Sequence, residues 1–423
     1  MDRITKFGES AFASLSVFNY RQLFISQAIA LSGTWMQIVA LGWLGLQLTG
    51  SGGQLGLIVA AQFLPLLLFA PWGGLLADRA DKKKILQYTQ YAYIVTSVVL
   101  GTFVLLNIMQ VWMLYIFALA LGFVRVFEMP ARQTIISEIV PPDHLKNAIS
   151  LNASVNNLAR AIGPSIGGIL IATVGIGFCF FFNAITYVVA AFILRTIKDE
   201  DMNRSTPAAR AAGQLREGWR YVWQTPLIRD LMIMIALVGT FTFEFQISLA
   251  LLAKETFLSD AGGYAALMSA FGAGAAIGGV VAASRKETGP SAFLSFGALS
   301  GFSILLASIA PSLGLAIAGM VLVGFFTVNM VSTANSMIQM EAHPEMRGRV
   351  MAIWSMAMMG STPIGGPIIG WIGEFTNARL SLATGGAAML IAVVYGYIAL
   401  VRRKPADHIA IDTTIKLTET HHA

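Results

Sequence analysis

The sequence predicts an all-α integral membrane protein with twelve transmembrane helices in two pseudo-symmetric six-helix bundles. Three observations predict it. Of the 423 residues, 56% belong to the set AVILMFWYC and only 12% are charged, with a mean hydropathy of +0.69, which is too little polar surface to wrap a soluble globule. Basic residues collect in alternate loops, and the two halves of the chain echo each other.

Turn and charge punctuation place the apolar segments at roughly 20–47, 54–77, 85–107, 111–137, 147–173, 177–197, 227–252, 264–284, 291–310, 313–340, 350–373 and 380–401. Leu55 to Leu76 has no charge and Ala378 to Val401 has one. Each such run reaches the ~20 residues that a helix needs to cross ~30 Å of hydrocarbon. If the first helix starts inside, 24 of the 28 Lys and Arg fall in cytoplasmic segments; the outer loops keep Lys254 and Arg379, while Arg125 and Arg160 lie within helices. The positive-inside rule then puts both termini in the cytoplasm. Residues 1–18 lack the pattern of a cleaved signal peptide, and the expected location is the inner (plasma) membrane.

The long polar stretch Lys198 to Pro226 divides the chain near its midpoint. It separates an N-terminal bundle, 1–197, from a C-terminal bundle, 227–404, and is followed at the end by a polar tail, 405–423, that reads as disordered. Within the linker, Leu215, Trp219 and Val222 share a helical face beside Arg216 and Arg220. This face suits a helix on the membrane surface; a simple tether is the other reading. A shift of 202 residues superposes Pro142-Asp143 on Pro344-Glu345, Gly163 on Gly365 and Gly168 on Gly370, and a shift of 210 superposes Gly52-Gly53 on Gly262-Gly263. Repeated halves of this kind form two bundles around a site near the bilayer midplane, reached alternately from each side.

Two motifs follow. Gly74-Leu75-Leu76-Ala77-Asp78-Arg79-Ala80-Asp81-Lys82-Lys83-Lys84 combines a glycine for close helix approach with an acid and basic residues, a charge clasp at the cytoplasmic edge. Gly163-Pro164-Ser165-Ile166-Gly167-Gly168 in the fifth segment offers small residues for packing and a proline that frees a carbonyl, a hinge-like element. The first resembles the G-x-L-A-D-R-x-G-[RK]-[RK] loop of the major facilitator superfamily, with Asp81 in place of a glycine. The second resembles the G-P-x-x-G-G element of its antiporters, with Ala159 before Arg160. Asn19-Tyr20-Arg21, Gly33-Thr34-Trp35-Met36-Gln37, Leu48-Thr49-Gly50-Ser51, Pro130-Ala131-Arg132-Gln133, Asn157-Leu158-Ala159-Arg160 and Arg347-Gly348-Arg349-Val350 are similar to the branch that holds enterobactin-type siderophore exporters and macrolide efflux proteins. The resemblance implies proton-coupled export of a small organic compound such as a siderophore or drug. The residues by themselves imply a two-bundle carrier.

An ionisable group in hydrocarbon costs at least ~2.5–3.5 kcal/mol, so each needs a partner or a purpose. Glu128 has Arg125 three residues before it and Arg132 four after; it is either part of an ion-pair ladder or a proton-binding carboxylate. Arg160 shares a helical face with Asn152, Asn156, Gly163 and Gly167, as a structural anchor or a cavity charge that changes partners during transport. Glu244 sits among Phe241, Phe243 and Phe245 with no basic neighbour at helical spacing. It is the second proton-site candidate, against a Glu reaching for the headgroups. Glu341 and Glu374, at helix ends, read as solvated.

Polar faces carry Thr34 and Gln37 in the first segment and Asn329, Ser332, Thr333, Ser336 and Gln339 in the tenth, while Trp354 with nearby methionines marks the eleventh. Such residues line a cavity or bond helix to helix. With Asn152 and Asn156 they form the substrate-cavity candidates. The sequence has no phosphate-binding glycine loop and no His-Glu-x-x-His, and Cys179 is its one cysteine. Neither ATP-driven transport, metal chemistry nor catalysis is expected, and no cofactor. The expected partners are a small-molecule substrate, protons and the bilayer, with the chain as a monomer. The +6 net charge is a membrane-topology effect, not a nucleic-acid footprint. An uptake symporter on the same scaffold and a transport-inactive receptor or assembly subunit are the competing readings.

Overall fold

The computed structural model describes residues 12–203, 214–285 and 289–402, with Pro71, Asp78, Gln214, Leu215 and Arg402 described by backbone alone. The 405–423 tail and part of the linker fall outside the described residues. Six helices build the N-terminal lobe: α1 Phe18–Thr49, α2 Gly52–Arg79, α3 Lys82–Leu105, α4 Val111–Ile139, α5 Pro142–Val174 and α6 Ile176–Arg195. A linker helix, α7 Gln214–Gln224, precedes α8 Pro226–Phe241, α9 Phe245–Leu251, α10 Ala261–Ser284, α11 Pro290–Ser308, α12 Leu313–Glu341, α13 Arg347–Met359, α14 Thr362–Phe375 and α15 Ala378–Gly396.

The helices alternate between the face that carries the linker and a far face. Local chemistry sets their ends. At the far face Gly50 takes φ +63° to close α1, a left-handed conformation that costs glycine nothing. The Ser51 hydroxyl then accepts the Gln54 N–H at 3.1 Å to open α2. At the linker face Asp81 accepts the Lys84 N–H at 3.2 Å, so the residue that departs from the family motif caps α3. Asn377 does the same for α15 through the Leu380 N–H at 2.9 Å.

Helical structure covers each of the twelve expected segments, with two interrupted; among the described residues eleven stretches are long and apolar enough to cross a bilayer, Pro226–Thr256 counted across its break. The arrangement is consistent with the expected twelve segments in two bundles, the eleventh being made of two shorter helices. The eleventh breaks at Gly360-Ser361 between α13 and α14, where Pro363 in the first turn of α14 has no N–H to continue the ladder. The seventh breaks at Thr242–Glu244 between α8 and α9. There the Thr242 hydroxyl donates to the Gly385 carbonyl of α15 at 2.8 Å, and the Phe243 N–H reaches back to the Val238 carbonyl at 3.3 Å, one residue beyond α-helical spacing. By contrast, α5 runs through Pro164 unbroken.

Within the N-terminal lobe α1 packs on α5 and α6, α2 on α4, and α3 on α4 and α6; α10 on α12 and α11 on α12 and α15 repeat the scheme in the other lobe. The lobes meet along two seams, α2 against α14 and α5 against α10. These pairings exchange under the repeat. The α2–α14 seam is backbone on backbone: a Cβ on Gly52 would stand 2.6 Å from the Gly370 carbonyl oxygen, and Gly56 abuts the Gly366 carbonyl as closely. Only glycine permits that approach. Beyond the break, α13 meets α2 sparsely.

Val222 of α7 is buried among Leu231, Ile235 and Trp354, and Glu217 pairs with Arg349 at 2.7 Å. The linker helix therefore belongs to the C-terminal lobe. Gly56→Leu is expected to lower the melting temperature by overpacking the seam, a cost of about 1–3 kcal/mol. Gly314→Ala, which faces open space, leaves it unchanged or higher; thermal unfolding of the two purified variants checks the contrast.

Candidate functional site

Glu128 of α4 lies inside the N-terminal lobe. Arg132 reaches it at 3.4 Å and the Tyr93 hydroxyl donates to Oε2 at 3.4 Å. Arg125 instead rests over the Phe63 ring, 5.4 Å from its centroid. A cavity of about 20 Å³ lined by Gln27, Thr34, Gln90, Tyr93, Glu128 and Arg132 adjoins the pair. It has room for one water. Gln27 Nε2 and Gln90 Oε1 are sealed without protein partners, a donor and an acceptor of the kind such a water satisfies.

Thr34 and Gln37 also point into their own lobe. Thr34 bonds the Tyr187 hydroxyl at 3.0 Å; Asn183 donates to Gln37 Oε1, which also accepts from Ser97 at 3.4 Å. In α12, Asn329 and Thr333 are buried and bond the carbonyls one turn back, of Phe325 and Asn329, each at 2.8 Å. Ser336 is half-buried. Trp354 is buried in the C-terminal core. Thr34 and Gln37 are thus engaged by neighbouring helices of their own lobe, and Asn329 and Thr333 by carbonyls of their own helix.

The basic motif is likewise turned inward. Lys82 forms a buried ion pair with Glu138 of α4, and Lys83 donates to the Ile197 carbonyl at 2.6 Å and to Asp199 at 3.0 Å. Both tie α3 to neighbours in the same lobe. Gly74 is half-buried and Arg79 exposed; the side chain of Asp78 lies outside the described residues. In the second motif Gly163 and Gly167 admit Trp35 and Met36 of α1, while Gly168 faces Ala265 across the α5–α10 seam.

Glu244 occupies the α8–α9 break. It is 3% exposed, the Thr362 hydroxyl in the first turn of α14 lies beside its carboxyl, and Oε1 is sealed with no partner. Gly239 abuts the Ala357 and Met358 carbonyls, and Gly365 abuts that of Thr240. The two helix breaks are therefore packed against each other, and Glu244 sits between them beside the Gly56–Gly366 approach. Interrupted helices are where transporters place unsatisfied backbone and bound ions.

Arg160 stands on the second seam. Pro164 removes the N–H that would bond its carbonyl, and Gly272 of α10 packs against that carbonyl. The guanidinium lies 4.8 Å from the Trp35 ring centroid and 5.9 Å from that of Phe271. Along the same helix Asn156 donates to the Asn152 carbonyl at 3.1 Å, and Asn152 Oδ1 is sealed without a partner.

Sequence reasoning missed the far-face latch. Glu374, exposed as expected, accepts the Ser51 hydroxyl at 2.6 Å and the Gly53 N–H at 2.8 Å across the lobes. Lys254 donates to the Leu46 carbonyl at 3.0 Å. The glycine pair Gly52-Gly53 was the available signal, since a bare backbone N–H invites an acceptor. Glu374→Ala is expected to raise solvent access at the far face, read by hydrogen exchange of the Gly53 region. Glu138→Gln leaves Lys82 buried and unpaired, and should cost about 3–5 kcal/mol of stability in denaturant unfolding.

Comparison with known proteins agrees with this architecture. The family model described as transmembrane secretion effector matches residues 9–419. The uncharacterized MFS-type transporter YfiS of Bacillus subtilis is 25% identical over 91% of this chain and 93% of its own length. The enterobactin exporter EntS of Shigella flexneri is 25% identical over 90% and 92%. Among solved structures, an inward-facing bacterial homologue of the lysosomal transporter Spinster superposes with a TM-score of 0.68 at 15% identity, covering 90% of this chain and 95% of that one. Twin six-helix lobes, two reciprocal seams and a family match over nearly its whole length make this chain a member of the transmembrane secretion effector family of major facilitator transporters.

Proposed function

We propose that the protein exports a small organic compound across the inner membrane in exchange for protons, with Glu244 as the principal proton carrier and Glu128 as a second. The observation that carries this reading is Glu244: a sealed carboxyl with an unpartnered oxygen, at the point where two interrupted helices and both lobes meet. A proton there removes a charge from a dry site and gives Oε1 a hydrogen to share. Separation of α2 from α14 would bring the same carboxyl to water. Binding and release of the proton are thereby tied to the seam.

The relatives support the direction of transport. One is an enterobactin exporter, and another is the multidrug efflux pump Tap of Mycolicibacterium fortuitum. The Lys and Arg distribution supports a cytoplasmic linker face and cytoplasmic termini. On that orientation the form described here is shut to the outside and poised toward the cytoplasm, the side from which an exporter loads. Proton entry driven by 100 mV supplies about 2.3 kcal/mol per charge, so no nucleotide is needed. Glu128, with Arg132 on one side and a water-sized cavity on the other, is suited to pass a proton within the N-terminal lobe. Arg125, held on Phe63, keeps the surroundings positive. The packing is that of a single chain, and a monomer is the working unit in this reading.

In proteoliposomes with a panel of fluorescent dyes, an imposed pH gradient should drive dye movement by the native protein. Glu244→Gln should abolish gradient-driven accumulation while leaving dye-for-dye exchange intact, and Glu128→Gln should slow it. Unchanged gradient-driven accumulation in Glu244→Gln removes the proton assignment. Accumulation in the direction of proton entry identifies an uptake symporter instead.

A further inference from the structure

Among the described residues two cations within the membrane-spanning helices, away from their ends, have no ion-pair partner: Arg125, which rests on Phe63 beside the Glu128–Arg132 pair, and Arg160, which has no acid near it on its own helix. Among the described residues three acids within the lobes have a basic partner: Glu128 has Arg132, Glu138 has Lys82, and Asp230 has Arg229 with the Tyr395 hydroxyl; Glu244 lies beside the neutral Thr362 hydroxyl. Among the described residues no carboxylate lies within ion-pairing distance of Arg160. Its Nε is sealed and has no partner, and its terminal nitrogens make no hydrogen bond to a described residue. The residue as a whole is half-buried, so part of the side chain faces accessible space.

What holds the guanidinium is aromatic. Trp35 comes from the N-terminal lobe and Phe271 from the C-terminal lobe. The base of the side chain is fixed by α10, because Gly272 packs on the Arg160 carbonyl that Pro164 leaves free. Two rings orient the fork and supply quadrupole attraction, but no counter-charge. The N–H donors of the two terminal nitrogens are left available to an anion. An incoming carboxylate or phenolate would find donors in the guanidinium and a flat apolar partner in each ring. The rings belong to different lobes, so such an anion would be gripped in one arrangement of the lobes and loosened in another.

We infer that Arg160, clasped between Trp35 and Phe271 at the lobe seam, is the recognition site for the anionic group of an aromatic organic anion, and that the transported compound belongs to this class. The inference rests on the exporter reading for its word "transported"; the binding site itself does not.

Salicylate and its neutral amide, salicylamide, separate charge from shape. The purified native protein is heated in steps with each compound or with inorganic phosphate at matched ionic strength, and the surviving monodisperse fraction is read by size-exclusion chromatography. A ligand that binds the folded form raises the midpoint in proportion to the logarithm of its concentration above Kd. Salicylate should raise the midpoint, while salicylamide and phosphate should not. Arg160→Gln should remove the salicylate response, and Arg160→Lys should reduce it because the fork is lost while the charge remains. If Arg160→Gln does not fold, Arg160→Lys and the three-ligand comparison on the native protein still decide. Equal stabilisation by salicylamide or phosphate, no response to salicylate, or a full response in Arg160→Gln or Arg160→Lys overturns the site. A protein that binds salicylate in this way yet moves no solute in proteoliposomes keeps the site and loses the exporter reading.

Discussion

The direct approach of α2 and α14, glycine on glycine, is the constraint on which the rest of the architecture depends. Where Gly52 and Gly56 meet Gly370 and Gly366, no side chain intervenes between the lobes. That closeness brings the Gly53 N–H within reach of Glu374 and sets Gly366 beside the Glu244 carboxyl. It also explains why the far face is shut while α13 falls away from α2 beyond the break. In lipid, helices gain little from hydrophobic contact with one another, and close packing with interhelical hydrogen bonds has to supply the cohesion. A backbone seam supplies both.

The distribution of charge follows from the same constraint. Each lobe satisfies most of its ionisable groups internally: Lys82 with Glu138, Lys83 with Ile197 and Asp199, Arg132 with Glu128. The lobes can then shift relative to each other without stripping a buried ion of its partner. Of the groups left incomplete, Glu244 and Arg160 lie on the two seams. One lacks a donor for Oε1 and the other an acid. Incomplete satisfaction at the surfaces that must part is a source of coupling, because the missing partners have to come from outside the protein.

How much of this was legible in the sequence differs by level. The lobes and the number of segments were readable, because apolar runs and basic loops report directly on the energy of crossing lipid. The breaks were not, since hydropathy is blind to a Thr242 hydroxyl that leaves its own helix for the Gly385 carbonyl. Glu244 was visible as an acid without a helical neighbour, and the structure adds that it stands between two interrupted spans. The polar stripe of α12 and the Thr34–Gln37 pair looked the same on paper whether they faced a chamber or a neighbouring helix; only packing assigns them to Phe325, Tyr187 and Asn183. Glu374 was correctly placed at a helix end, but its partner Ser51 is 323 residues away, beyond any local pattern.

The docking of the linker at both ends has a mechanical consequence. Asn203 is fastened to the N-terminal lobe through the Glu138 carbonyl at 2.7 Å, and α7 is fastened to the other lobe by Val222 and the Glu217–Arg349 pair. Whatever path the chain takes from Asn203 to Gln214, those eleven residue steps can extend no further than about 40 Å. The connection thus acts as a leash of fixed length, setting an upper bound on how wide the mouth can gape and so on the girth of any cargo admitted from that side.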